Sequence, residues 1–350
     1  MTGVLVLGDI PSTGIAGASA ERVVPGSDPQ DHQTPDVPNP PATPALPPDD
    51  FLDLVRQRLG QAKIVVAVYP AWRPEPAKRY IQLARSALET EWLVGAPSDL
   101  PPLALSLVAD QLAYLAPYVP PGVLVGLVSR LARETLAGAW VRSVAGLKHI
   151  PISLGQHVSS YLPGGFLVTA SPQSGISRVK GGAQVGELPY RPVDPVQVLA
   201  VPADGDVDWF RGTLLPSVRP ARVQFFQPQP LGSTYWGTKK YVEYVAFSSH
   251  PQALTHAAGS VRVRTCRWCG QIVAAPTCPF CGMTRHRPGG AAQGSAGGSA
   301  QGPDQGSARG PAGARDDGAQ IGAQRAATGA APAQAYGHVP SPTEPGSGVP

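Results

Sequence analysis

The chain has 350 residues, 41 of them Pro and 40 Gly, and a formal net charge of +4 that is unevenly spread. Residues 1–50 carry one basic side chain, Arg22, against seven acidic ones, whereas residues 51–283 carry a net +9. The most apolar stretch, Leu103 to Leu127, is interrupted by Asp110, Pro117, Pro120 and Pro121, which excludes a membrane-spanning helix there.

Residues 1–49 read as a disordered, acidic, Pro-rich leader, because so few large apolar side chains do not offset the entropy of ordering the backbone. Within it, Val4–Leu7 is apolar and Ala18-Ser19-Ala20 imitates a signal-peptidase site. No Lys or Arg precedes the apolar run, and Asp9 and Pro11 interrupt it, so the expectation is a cytoplasmic protein without a secretory signal. Asp49-Asp50 then opens a helix carrying Phe51, Leu54, Val55 and Leu59 at helical spacing. The β-branched run Lys63 to Tyr69 reads as a buried strand ended by Pro70. Pro74-Glu75-Pro76 suits a first helical turn, followed by the apolar stripe Ala77, Tyr80, Ile81, Ala84, Leu88 and Trp92. Ser98-Asp99 and Pro101-Pro102 open another helix, with Leu103, Leu107, Val108, Leu112 and Leu115. A third is expected from about Gly122 to Ala145. Residues 50–147 therefore read as a mainly helical unit with one strand.

After Lys148 short β-rich runs alternate with Gly and Pro: 166–170, 196–201, 207–215, 223–227 and 241–247. Their spacing predicts an antiparallel β-rich domain over 148–250. Residues 250–260 read as a linking helix or loop, 261–287 as a small metal module, and 288–350 as a disordered Gly/Ala/Pro/Gln-rich tail. The fold class expected is α+β, with helical, antiparallel and metal-binding parts in succession. Six Lys against 22 Arg, with abundant Ala, Gly and Pro, is a composition typical of GC-rich genomes such as those of actinobacteria and their phages.

The strongest motif is Cys266-Arg267-Trp268-Cys269-Gly270, then eight residues, then Cys278-Pro279-Phe280-Cys281-Gly282. Two CxxC turns supply four thiolates, the donor set of a tetrahedral structural zinc site. Each trailing Gly permits the left-handed turn that aims backbone N–H groups at sulfur. All four cysteines of the chain lie here, and a redox-active pair or an iron site are the competing readings. Residues 264–284 resemble the zinc-ribbon, rubredoxin-type double-knuckle modules, which implies one structural Zn2+ held by Cys266, Cys269, Cys278 and Cys281.

Arg262, Arg264, Arg267, Arg285 and Arg287 surround the module, with Trp268 and Phe280 on its knuckles and no acidic residue between 261 and 287. Such a surface can engage phosphates and stack on bases. The same arginines can instead offset the net negative charge of a tetrathiolate zinc. Asp204, Asp206 and Asp208 with Ser248-Ser249-His250 resemble the DxD and SxH elements of archaeo-eukaryotic-type primases, which would imply Mg2+. The third acidic element is missing, with no Asp or Glu between Glu243 and Asp304, and Ala203-Asp204-Gly205-Asp206 is a hairpin-turn composition. Turn is the reading taken. Tyr235, Trp236, Tyr241 and Tyr244 read equally as a binding face or a sheet core.

The expected function is that of a zinc-binding, non-catalytic protein contacting nucleic acid or a macromolecular assembly through the basic ribbon. No small-molecule cofactor and no membrane contact are expected, and no catalytic residue is assigned. The alternatives are an enzyme with its site in 148–250 and a structural adaptor of a phage or mobile element.

Overall fold

A computed structural model of the protein describes residues 2–26, 44–179, 185 and 188–284. Its strands are β1 (Thr2–Leu7), β2 (Glu21–Val23), β3 (Ile64–Pro70), β4 (Leu93–Ser98), β5 (Leu136–Val141), β6 (Gly165–Ser171), β7 (Gly175–Val179), β8 (Val196–Ala203), β9 (Arg222–Phe225), β10 (Tyr241–Ser248), β11 (Arg264–Thr265) and β12 (Ile272–Val273). The helices are α1 (Pro48–Gln61), α2 (Glu75–Ala87), α3 (Pro102–Leu115), α4 (Pro121–Arg133), α5 (Leu154–Ser159), α6 (Val207–Trp209), α7 (Leu215–Val218), α8 (Gly232–Trp236) and α9 (Ala253–Gly259).

The first sheet has the order β2-β1-β3-β4, and every pair in it is parallel. Its central strand β3 is buried along its whole length, as expected of a parallel strand covered on both faces. Leu5, Leu7, Val65 and Ala67 face Phe51 and Val55 of α1 and Tyr80, Ile81 and Ala84 of α2. On the other face Val4, Val6, Val66 and Val68 meet α3 and α4. The second sheet has the order β7-β6-β5-β10-β8-β9, antiparallel throughout except for the parallel pair β8/β9.

Helix α3 lies between the two sheets. Residues 102–112 are all buried, the polar Ser106, Asp110 and Gln111 among them, so the helix is buried all round rather than striped. One continuous core runs from Val66 and Val68 through Leu103, Leu107 and Leu127 to Ala139, Leu199, Val245 and Trp236. The outer face of the second sheet buries Trp140, Val198 and Tyr244 against Phe210, Leu214 and Val218.

Four expectations are corrected. The leader is not disordered over residues 2–26: Val4–Leu7 pairs with β3, because a short apolar strand finds a partner some sixty residues away. Residues 50–147 hold three strands rather than one. Leu93–Ser98 is β4, and the helix expected to run to Ala145 stops at Arg133, where the chain turns into β5. β5 joins the second sheet, so the boundary placed at 147/148 divides a single sheet. The architecture is accordingly a mixed α/β fold with a parallel sheet, not a succession of helical and antiparallel parts. The expected tail over 288–350 lies outside the described residues.

Other readings hold locally. Residues Ala253–Gly259 form the linking helix. Asp204 sits at φ +51° and the Asp206 carboxylate accepts from Trp209 N at 2.8 Å, so this acidic run makes a turn and a helix cap. Tyr235, Trp236, Tyr241 and Tyr244 are core residues. No helix of the described residues is long and apolar enough to cross a membrane.

Candidate ligand groove and thiolate cluster

In open parallel sheets ligands collect outside the carboxyl ends of the strands. A groove of about 650 Å³ opens beyond the carboxyl end of β4. Residues 96–100 form one side, and Val125, Gly126, Ser129 and Arg133 present one face of α4. Ala170 to Pro172 close the β6 end, and Ala274 to Pro276 of the cysteine module make the remaining wall. The lining mixes apolar side chains such as Leu100, Val125 and Val128 with the polar Ser98, Asp99, Ser129 and Ser171. Arg133, exposed at the rim, is its one cation, and its Nε donates to the Ser129 carbonyl at 3.2 Å. Among the described residues no carboxylate pairs with Arg133.

The groove abuts an aromatic cluster. Tyr235 donates to the Asp99 carbonyl at 3.4 Å and Trp72 Nε1 to the Leu100 carbonyl at 3.2 Å. His149 stacks on Tyr235 at 5.5 Å and lies 5.3 Å from Trp72. Burial, and then the Lys148 ammonium, lower the His149 pKa below the ordinary imidazole value. Beneath lies Glu243 of β10, fully buried, with Oε1 accepting from Leu103 N at the start of α3 at 2.8 Å. Desolvation raises its pKa to about 7, against the opposing pull of the Leu103 N–H and the Trp236 side chain. Nothing in the sequence distinguishes this carboxyl from the exposed acids; only the topology reveals that β10 is central.

Beyond β1, a loop passes through Ser12, Thr13 and Ala20 and is tied to α3 by a buried carboxylate, beside which Ser106 Oγ donates to the Pro11 carbonyl. Asp110 Oδ2 accepts from Ser12 Oγ at 2.9 Å and from Thr13 N and Oγ1 at 3.0 Å. Its Oδ1 accepts from Ala20 N at 3.2 Å and meets Arg22 Nη1 at 2.8 Å.

The four cysteines do converge. Their sulfurs all lie within 4.8 Å of one another, with Cys266–Cys281 at 3.6 Å and Cys269–Cys278 at 3.5 Å. Metal–sulfur bonds of about 2.3 Å in a tetrahedron give sulfur–sulfur edges of about 3.8 Å, so the cluster fits one such cation. The two knuckles repeat one geometry. Gly270 N donates to the Cys266 carbonyl and Gly282 N to the Cys278 carbonyl, each at 3.0 Å, with φ of +71° and +73° at the glycines. The backbone N–H groups of Cys269 and Trp268 stabilise the Cys266 thiolate and bring its pKa down to about 6, while burial pushes the Cys269 thiol up to about 12. β11 and β12 form the expected two-stranded ribbon.

The ribbon is not a free-standing module. Val273, Phe280, Cys266 and Cys278 share an apolar cluster with Ile64 and Val94, at the starts of β3 and β4. Glycines of α4 allow the approach: a Cβ at Gly122 would lie 2.3 Å from the Ile272 carbonyl oxygen, and one at Gly126 2.6 Å from Ala274 Cβ.

This packing redistributes the residues expected to touch nucleic acid. Phe280 is buried and sits 5.9 Å from the Trp92 ring, so it presents no face to a base. Arg264 Nη2 donates to the Ala275 and Pro276 carbonyls at 3.1 and 2.6 Å. Arg262, Arg267 and Trp268 are exposed, and Arg285 and Arg287 lie outside the described residues.

No family model matches the chain, and no curated protein matches it in sequence. Its fold is similar to that of a DegV family protein from Thermus thermophilus described for its fatty-acid binding, at a TM-score of 0.50 and 13% identity, over 71% of this chain and 99% of that one. Similar solved structures include a stearic-acid-binding protein from Eubacterium ventriosum, with a TM-score of 0.48, 12% identity, and 71% and 98% coverage. A DegV family protein from Corynebacterium glutamicum gives 0.46, 11%, and 71% and 97%. The Thermus likeness carries the fold assignment: this chain has a DegV-like α/β fold. That finding overturns the expectation of a ribbon-centred, nucleic-acid-binding protein without a small-molecule ligand. The fold is that of a protein described as binding a fatty acid, and the ribbon turns part of its basic and aromatic surface inward.

Proposed function

We propose that the protein binds a long-chain fatty acid, with its acyl chain in the groove beyond β4 and its carboxylate at Arg133. The observation that carries this reading is the fold shared with the fatty-acid-binding Thermus protein over nearly the whole of that chain. The groove supports it in size, since small-molecule sites commonly enclose about 300–1,000 Å³. It supports it in chemistry too, with Leu100, Val125, Val128 and several alanines along its walls and one guanidinium at the rim. An acyl chain gains from apolar burial at about 0.8 kcal/mol per methylene, and a guanidinium fixes the polar end by a charge-assisted hydrogen bond.

Titration of the delipidated full-length chain with palmitate tests the reading. Saturable one-to-one binding is expected, weakened about tenfold or more by Arg133→Ala, the loss of a hydrogen bond to a charged group worth about 1.5–3 kcal/mol. Binding of palmitate that Arg133→Ala leaves unchanged would remove the carboxylate assignment, and no binding of any C14–C18 fatty acid would remove the function.

A further inference from the structure

The geometry points to a metal ion in the four-cysteine cluster as the clamp that shapes the ligand groove, so that acyl-ligand affinity depends on the metal. This rests on the fatty-acid reading above and goes beyond it, because it links two sites.

The argument runs through one short segment. Ala274 to Pro276 are at once the ribbon's contribution to the groove wall and the stretch between β12 and Cys278. One end of this segment follows β12, which pairs with the β11 strand leading into Cys266, and the other leads into Cys278. Arg264 reinforces the link, since its Nη2 holds the carbonyls of Ala275 and Pro276 from the β11 arm. On the opposite side Ala274 N donates to the Gly122 carbonyl at 3.3 Å, which joins β12 to the first turn of α4. Helix α4 provides the facing wall. A thiophilic divalent cation, zinc above all, would tie the two arms together through four sulfurs already within 4.8 Å of one another. Without it, two-residue strands, the buried Val273 and Phe280 and the hydrogen bonds of Arg264 and Ala274 are left to hold the wall. Small metal modules of this kind owe their folding to the ion. Releasing the arms therefore loosens the wall while the two sheets, which have their own cores, persist.

The test uses the full-length chain. Metal content is measured by atomic emission, the metal is removed with a chelator under reducing conditions, and Zn2+ is added back. Palmitate affinity and hydrogen exchange across residues 122–133 and 272–276 are followed at each stage. The expected result is one zinc per chain, and on its removal an affinity loss of about tenfold or more, within the usual range of coupling between sites. Exchange in both segments should accelerate, and Zn2+ should restore both properties. Gly122→Ala keeps all four cysteines but places a Cβ against the Ile272 carbonyl. It should retain zinc and still lose affinity, which separates wall position from metal binding even if the stripped chain unfolds.

Equal palmitate affinity with and without zinc overturns the coupling, as does a chain that takes up no metal. If the zinc-loaded chain binds no palmitate, the fatty-acid reading has failed by itself. The exchange data then decide the clamp: unchanged protection of residues 122–133 after zinc removal sinks it.

Discussion

Two irregular segments are fastened to the same helical pair by opposite means. The loop after β1 is held to α3 by polar contacts centred on one buried carboxylate, whereas the cysteine ribbon is held to α4 by apolar contact and glycines that leave room for it. Asp110 gathers hydrogen bonds from Ser12, Thr13 and Ala20 and a charge contact from Arg22, all in a site with no exposure of its own. The ribbon inserts Val273 and Phe280 beside Ile64 and Val94. A polar hub is all-or-none, since each donor left behind is buried without an acceptor. An apolar contact degrades in proportion to what is removed.

The sharpest way to break this contrast is Asp110→Ala. It leaves Thr13 N and Ala20 N without their acceptor and removes the counter-charge of the Arg22 guanidinium, whose side chain is only 14% exposed and which keeps its bonds to the Ile10 and Ala20 carbonyls. Loss of one partner of a buried ion pair typically costs about 3–5 kcal/mol. Urea unfolding should show a fall of that size, with Asp110→Asn intermediate. A loss below about 1 kcal/mol would mean that the loop is held by something else.

Glu243 gives the counter-case, a buried carboxyl whose few donors do not offset its desolvation. Its pKa is raised by desolvation to about 7 from an ordinary 4.5, so folding favours the protonated form. The sign follows from linkage: the contribution is fully present below pH 4.5 and is lost as pH climbs through 7. At about 1.4 kcal/mol per unit, the wild type should lose roughly 3 kcal/mol between pH 4.5 and 8 through this group. Glu243→Gln, neutral at every pH, should flatten that slope and be the more stable protein at pH 8. Denaturation curves at pH 5 and pH 8 check it, and parallel curves for the two proteins would refute it.

What was legible in the sequence follows the same division. The thiolate cluster could be read because its specification is local: two CxxC turns, each with its glycine, fix four sulfurs with no help from the rest of the chain. α1, α2 and α3 were legible from their apolar spacing, and β3 from its β-branched run. β1 was not, because Val4–Leu7 becomes a strand only by pairing with residues 65–68, and its neighbourhood has the composition of a disordered leader. β5 was lost in a continuous apolar stretch whose Leu136-Ala-Gly-Ala-Trp-Val141 carries few β-branched residues. The groove could not be read at all. It is assembled from β4, α4, β6 and the ribbon, four pieces separated by up to 180 residues, and no one of them has a distinctive pattern.

The mildest test compares the two faces of the ribbon itself. Val273 is fully buried against Gly122 and the starts of β3 and β4, while Trp268 is 76% exposed on the first knuckle. Val273→Ala deletes two buried methyl groups and should cost about 2 kcal/mol in transfer and cavity terms. Trp268→Ala should stay within about 0.5 kcal/mol despite removing the far larger side chain, because almost no contact is lost. Thermal unfolding of the two zinc-loaded variants beside the wild type measures both. The order matters more than the values, since area alone would rank Trp268 first and burial ranks Val273 first. A larger loss at Trp268 would show that the exposed knuckle, and not the α4 side, bears the ribbon's contact, and the assignment of Ala274 to Pro276 as a groove wall would fall with it.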